Sequence, residues 1–249
     1  MWSPATSPSS TLSATVSVKE SPRKESEPVE LFIDSADVDE VRRAAALGVV
    51  SGVTTNPKLA AAAEAGSFRE RVGDILACCR GPVSVEVLSE SADEMLAEAA
   101  EYASWDARVV VKVPMSLESL EVIHKLERER DIRVNVTCMM ASDQAALAMM
   151  AGASYASLFV GRIADMGYDA DAVIGETAEF IERGQFQCRI IAGSMRQTAD
   201  IRRSFLAGAH IVTTSFELLA QMAHHPRTME TIAEFKSAWD EARKRGELS

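Results

Sequence analysis

The sequence predicts a single α/β domain, a closed (β/α)8 barrel of the TIM type, with an extra C-terminal helix and a disordered N-terminal tail. Three observations carry this. From Leu31 onward, eight short apolar runs alternate with segments of helical period, the pattern of repeated βα units around a parallel sheet. No Gly-rich dinucleotide loop follows any of the runs, which favours a closed barrel over a doubly wound sheet. The chain of 249 residues, 47% hydrophobic, has the length of one such barrel.

Residues 1–28 are rich in Ser, Pro and Thr with little apolar content. Such a composition buries too little surface to offset the entropy of ordering, so a disordered tail is expected. A Ser-rich transit peptide is the rival reading, disfavoured by Glu20, Glu25 and Glu27 and by Arg23 as the lone arginine. Strands are predicted at 31–34, 50–55, 83–87, 109–113, 133–137, 155–160, 189–193 and 210–214, each followed by a helical stretch, so that 29–227 forms the barrel. The first helix opens with acidic residues (Asp37, Asp39, Glu40), favourable against the helix dipole, and Gly48 is placed to stop it. Ser91 and Glu94 have capping-box spacing. After the eighth unit, Thr228 to Lys244 reads as one more amphipathic helix within a terminal segment 228–249, with Ile232, Phe235 and Trp239 on one stripe.

The run Val109-Val110-Val111-Lys112-Val113-Pro114 is the most informative strand. It is apolar enough to be covered on both faces, and Pro114, with no N–H to donate, marks the end of pairing. A lone lysine at a strand end ordinarily snorkels to solvent. A desolvated amine is the alternative, since burial disfavours its charged form and is the usual route to a Schiff-base lysine. Side-chain alternation favours the second reading. If the valines flanking Lys112 face the helices, then Asp34, Glu86, Lys112, Asn135 with Thr137, and Ser157 with Phe159 all occupy the last inward positions of their strands. Polar layers inside a barrel explain one or two such residues better than this many. Their shared C-terminal end is where barrel active sites are built.

Two further segments suggest an anion site. Arg162 lies just beyond the sixth strand, and Ser194-Met195-Arg196 follows the seventh, at the expected start of a helix with free N–H groups. Each arginine alone would read as a surface charge. At one barrel end they can hold a phosphate.

A net charge of -11 argues against nucleic acid or an anionic membrane as the partner. Cys78, Cys79, Cys138 and Cys188 show no metal-ligand spacing, which implies reduced thiols in a cytoplasm and no metal. No apolar run reaches about 18 residues, so a soluble protein is expected. Asn135-Val136-Thr137 fits a glycosylation acceptor, but it lies on a strand expected to be buried.

Taken together, Phe32-Ile33-Asp34-Ser35-Ala36, Gly52-Val53-Thr54-Thr55-Asn56-Pro57, Val111-Lys112-Val113-Pro114, Asn135-Val136-Thr137, Ser157-Leu158-Phe159-Val160-Gly161-Arg162 and Ser194-Met195-Arg196 resemble, in order, the transaldolase family. The likeness is to its short subfamily, which includes fructose 6-phosphate aldolases, and it runs from Leu31 to the C-terminus. It implies a cofactor-free enzyme whose lysine forms a Schiff base with a ketose phosphate and moves a dihydroxyacetone unit to an aldose phosphate. By that resemblance Lys112 is the nucleophile and Asp34 shuttles the proton, while Glu86 and Thr137 hold the catalytic water. Asn56 and Asn135, with Ser157 alongside, bind the dihydroxyacetone hydroxyls, and Arg162, Ser194 and Arg196 hold the phosphate. Glu86 with Phe159 is the transaldolase pair, where the aldolases resemble it with Gln and Tyr. Short-subfamily members assemble as rings of five or paired rings, which implies a homo-oligomer, pentamer or decamer, using the surplus helix.

Four positions depart from the family pattern: Lys58, Ser35, Leu158 and Gly193, where a small residue, Thr, Pro and Ala respectively are usual. They leave room for a specialised transaldolase with an unusual sugar-phosphate acceptor. A simple aldolase of the fructose 6-phosphate type is the next reading. A deoxyribose-phosphate aldolase would lack the Thr-Thr-Asn-Pro and Ser-x-Arg pieces, and an inactive binding barrel would have lost a catalytic residue, of which none is missing.

Overall fold

A computed structural model of the chain describes residues 28–62 and 67–247. The expected tail, 1–28, lies outside the described residues apart from Pro28. Eight parallel strands close into one barrel in sequence order. They are β1 (Glu30–Asp34), β2 (Gly52–Thr54), β3 (Val83–Glu86), β4 (Val109–Pro114), β5 (Val134–Met139), β6 (Tyr155–Phe159), β7 (Arg189–Gly193) and β8 (Ile211–Thr214). The helices are α1 (Val38–Ala46), α2 (Pro57–Ala62), α3 (Phe68–Cys78), α4 (Ala92–Ala103), α5 (Leu117–His124), α6 (Ser142–Ala151), α7 (Val160–Asp165), α8 (Ala170–Gly184), α9 (Thr198–Ala207), α10 (Phe216–Ala223) and α11 (Pro226–Lys244). Two units carry a helix pair, α2 with α3 and α7 with α8, and a π-helical turn extends α5 over Lys125–Glu129.

Alternation along the strands builds two cores. Val111 and Val113 face outward and pack with Met95, Leu96 and Ala99 of α4 and Val122 and Ile123 of α5, as the strand composition requires. Val110 faces inward and joins Phe32, Tyr155, Ile191 and Ile211 in an apolar plug that fills the lower barrel. Each such buried side chain contributes roughly 1.5–3 kcal/mol. Above the plug, the inward positions turn polar.

Several boundaries shift for local reasons. β5 runs past Thr137 to Met139 because pairing resumes there, Met139 with Leu158, beyond a register break at Cys138, which takes a left-handed φ of 60°. This bulge turns Cys138 out to solvent while Thr137 stays buried. Pro114 ends β4 as expected, in register with Thr137. Asp37 caps α1 by accepting from the Asp39 and Glu40 N–H groups, and Gly48 follows the helix at φ 71°. The Ser91 box is only half formed: Ser91 accepts from the Glu94 N–H, but Glu94 takes the Ser91 hydroxyl proton rather than its backbone N–H. The last helix starts at Pro226, two residues before the expected Thr228, because Pro fits the first helical turn and the His225 side chain accepts from the Arg227 N–H.

None of α11 is buried among the described residues, and Ile232, Phe235 and Trp239 are 55%, 71% and 59% exposed. Its apolar stripe therefore does not pack back on its own barrel.

Candidate active site

The polar upper layer of the barrel surrounds a cavity of about 120 Å3, lined by Asp34, Thr54, Asn56, Lys112, Ser157, Phe159, Arg162, Gly193, Ser194 and Thr213. The strands deliver these residues from all sides of the barrel to its C-terminal mouth, the location expected of a barrel active site.

Lys112 is the lysine of this cavity. Its ammonium lies 3.0 Å from the Glu86 carboxylate, with side-chain exposures of 5% and 11%, and donates to the Thr55 carbonyl at 3.1 Å. The strand end therefore does not let it snorkel. Glu86 and Lys112 stand in register on β3 and β4, and Asn135 is next in register on β5.

Asp34 faces the cavity from β1. Burial raises its proton affinity above the ordinary carboxylate range, against the opposing effects of the Lys112 charge and a hydrogen bond from Thr54. Thr54 donates to Asp34 Oδ1 at 2.8 Å and is 2.6 Å from the Thr213 hydroxyl. A buried carboxylate that shares its cavity with an amine is placed to take a proton from a bound substrate and return it.

Asn135 is buried beneath the cavity, accepting from Ser157 at 2.8 Å and donating to Ser84 at 3.2 Å. Ser157 lines the cavity itself. The amide orientation is thus set by Ser157 on the adjacent β6 and by Ser84 on β3, two strands away. Thr137 is fully buried with no formed hydrogen bond for its hydroxyl, although the Cys138 thiol is near enough to feel it. Asn56 spends its carbonyl on the Leu59 N–H at the start of α2, so its amide donors are the end available to a ligand. Lys58 is exposed on the same helical turn.

The anion residues divide between two cavities. Arg162 and Ser194 share the central one, with the Arg162 guanidinium 5.3 Å from the Phe159 ring centroid. Arg196 instead pairs with Asp165 at 3.0 Å, both more than half exposed, and lines an adjoining cavity of about 370 Å3. Ser194 has a left-handed φ of 60°, and its carbonyl accepts from the Gly161 N–H at 3.1 Å. A Cβ at Gly161 would lie 2.2 Å from that carbonyl and 2.8 Å from Arg196 Nε, so glycine is needed for β7 and α7 to meet here. The helix start expected at Ser194–Arg196 lies further along the chain. α9 starts only at Thr198, and the Asp200 carboxylate accepts from both the Arg196 and Gln197 N–H groups.

Ser84, Thr54, Thr213 and Gly193 were not singled out as site residues by the sequence. The inward parity used for the other strands, applied to β2 and β8, would have found the two threonines.

Residues 31–248 match the Transaldolase/Fructose-6-phosphate aldolase family. A protein named "Probable transaldolase" from Desulforudis audaxviator is 45% identical over 217 residues, covering 87% of this chain and 100% of its own length. One of the same name from Pelotomaculum thermopropionicum is 41% identical over 215 residues, 86% of this chain and 99% of that one. Among solved structures, a protein named as a deoxyribose-phosphate aldolase from Coccidioides immitis aligns with a TM-score of 0.57 at 14% identity, covering 79% of this chain and 85% of that one. A mandelate oxidase aligns with a TM-score of 0.54 at 14% identity, covering 75% and 64%. At such identities these two share the barrel fold alone.

Proposed function

This chain belongs to the transaldolase/fructose-6-phosphate aldolase family and is an enzyme of the aldolase/transaldolase kind, and on that premise we propose that it is a transaldolase acting on sugar phosphates through a Schiff base on Lys112. The observation that carries this reading is the buried Lys112 amine, held against Glu86 in the cavity that Asp34 also lines. Glu86 accepts a proton from the ammonium, and the neutral amine adds to the ketose carbonyl. Glu86 returns its proton to the carbinolamine hydroxyl and water leaves to give the iminium, with Glu86 and Thr137 holding that water. Asp34 then takes the proton of the hydroxyl on the carbon being released, the carbon–carbon bond breaks, and its electron pair is drawn into the iminium as an enamine. An aldose phosphate departs. An acceptor aldehyde reverses the sequence, with Asp34 returning the proton.

Asn56, Asn135 and Ser157 hold the three-carbon unit, and Arg162 and Ser194 hold the phosphate, joined by Arg196 once it leaves Asp165. Glu86 and Phe159 favour transfer over simple cleavage, since Phe159 offers no hydroxyl to help protonate and release the bound unit. The test is borohydride trapping with fructose 6-phosphate, with and without erythrose 4-phosphate. Wild type is expected to be labelled once per chain and Lys112→Arg not at all, with turnover dependent on the acceptor. Equal labelling of the variant refutes the lysine, and fast release of dihydroxyacetone without acceptor makes the protein an aldolase. Phe159→Tyr is expected to raise that release.

The partner we propose for the exposed stripe of α11 is a second copy of the chain, in a homo-oligomer. We place the enzyme in the cytoplasm, a setting supported by the four free cysteines. Among the described residues no helix is long and apolar enough to cross a membrane.

A further inference from the structure

β1 pairs with β2 on one side and β8 on the other, so inward residues of all three meet where the barrel closes. Asp34 is in register with Thr54, and Phe32, one inward position below, is in register with Thr213. The Thr54 and Thr213 hydroxyls are 2.6 Å apart above the Phe32 layer, both side chains are buried, and Thr54 reaches Asp34 Oδ1 at 2.8 Å. We propose that Thr213 is a positioning residue for Asp34, acting through Thr54.

Counting protons gives the chain its direction. An ionised carboxylate only accepts, so the single hydroxyl proton of Thr54 is committed to Asp34. The proton between the two threonines then belongs to Thr213, which donates to Thr54. A hydroxyl that accepts a hydrogen bond is a stronger donor, so Thr213 strengthens the bond that orients Asp34. With Oδ1 engaged, Oδ2 is the oxygen that exchanges a proton with substrate. Gly193 on β7 supports the arrangement: a Cβ there would approach the Thr213 methyl to 3.3 Å, and its absence leaves that methyl in place with the hydroxyl aimed at Thr54. The other charged groups around Asp34 are Lys112 on β4 with Glu86 on β3, and Arg162 of α7 at the rim; on the Asp34 side of the chain, Glu40 accepts from Ser35 and Asp37 caps α1. None of these touches Thr213 in a hydrogen bond.

The role of Asp34 in the reaction rests on the function proposed above, but its hydrogen bonding does not. The experiment is therefore a carboxyl-carbon NMR titration of the substrate-free protein, with Asp34 assigned through Asp34→Asn. Thr213→Val is expected to move the Asp34 midpoint up by about half a unit, because the ionised form loses support, and Thr213→Ser is expected to keep the wild-type midpoint. In the transfer assay the valine variant should be about fivefold slower, with the ascending limb of its pH profile displaced alongside the midpoint and borohydride trapping unchanged. Should Thr213→Val not fold, Thr213→Ala takes its place. An unmoved midpoint in the variant lacking the hydroxyl, or an equal displacement in Thr213→Ser, overturns the proposal. A wild type that neither traps nor transfers overturns the reaction scheme alone, and the titration still decides the role of Thr213.

Discussion

Lys112 and Glu86 stand in register on adjacent strands and close to 3.0 Å inside the barrel, with 5% and 11% of their side chains exposed. Two buried charges in such contact depend on one another, because removing either leaves the other largely out of solvent and without its counter-charge. Glu86→Gln is expected to lower stability by about 3 kcal/mol, and Lys112→Met by a similar amount. The double variant should be less destabilised than the two losses added. Urea denaturation of the four proteins measures this, and strict additivity would mean the pair is not coupled.

Asp34 supplies a pH dependence with a definite sign. Its carboxyl is raised above the usual 3.8, chiefly by burial. Between 3.8 and the raised value the folded state holds more protons than the unfolded one, so this group makes stability fall as pH rises through that window and is level above it. Asp34→Asn removes the dependence. Compared with wild type, the variant should gain most stability near neutral pH, and the gain should fade as pH falls towards 3.8. A gain that grows on acidification would reverse the assignment of burial as the main cause.

Asp165 competes for Arg196 on the outside of the cavity. Their ion pair is more than half exposed on both sides, so it contributes at most about 1 kcal/mol and yields readily to a phosphate. Asp165→Asn is expected to lower KM for a ketose phosphate about twofold to fivefold, leaving kcat and the KM of the unphosphorylated ketose unchanged. A parallel change for both donors would detach Asp165 from phosphate binding.

α11 predicts association. Its stripe of Ile232, Phe235 and Trp239 stays exposed on the described chain, and a patch of that kind is normally covered in solution. Light scattering at micromolar concentration should return a multiple of 26.9 kDa for wild type, and Phe235→Glu with Trp239→Glu should reduce it to one chain. A monomeric wild type would leave the stripe for some other partner.

The strand and helix pattern was legible from the sequence because each element depends on its own residues: β-branched runs covered by helices, capping side chains at the starts, and a two-residue alternation that sends Lys112, Glu86 and Asp34 inward. Even the barrel end at which they meet follows from counting positions along each strand. What the sequence could not determine is which side chains take up each other's charges and protons. That Asp165 draws Arg196 away from Ser194, that Asp200 occupies the N–H groups ahead of α9, and that Thr213 reaches Asp34 through Thr54 are contacts between segments far apart in the chain, or between a helix end and its own first turn. Side-chain hydrogen bonds act only over about 3 Å, so they are settled by the closure of β8 onto β1 and the packing of α7 beside β7, relationships that exist only once the barrel has formed.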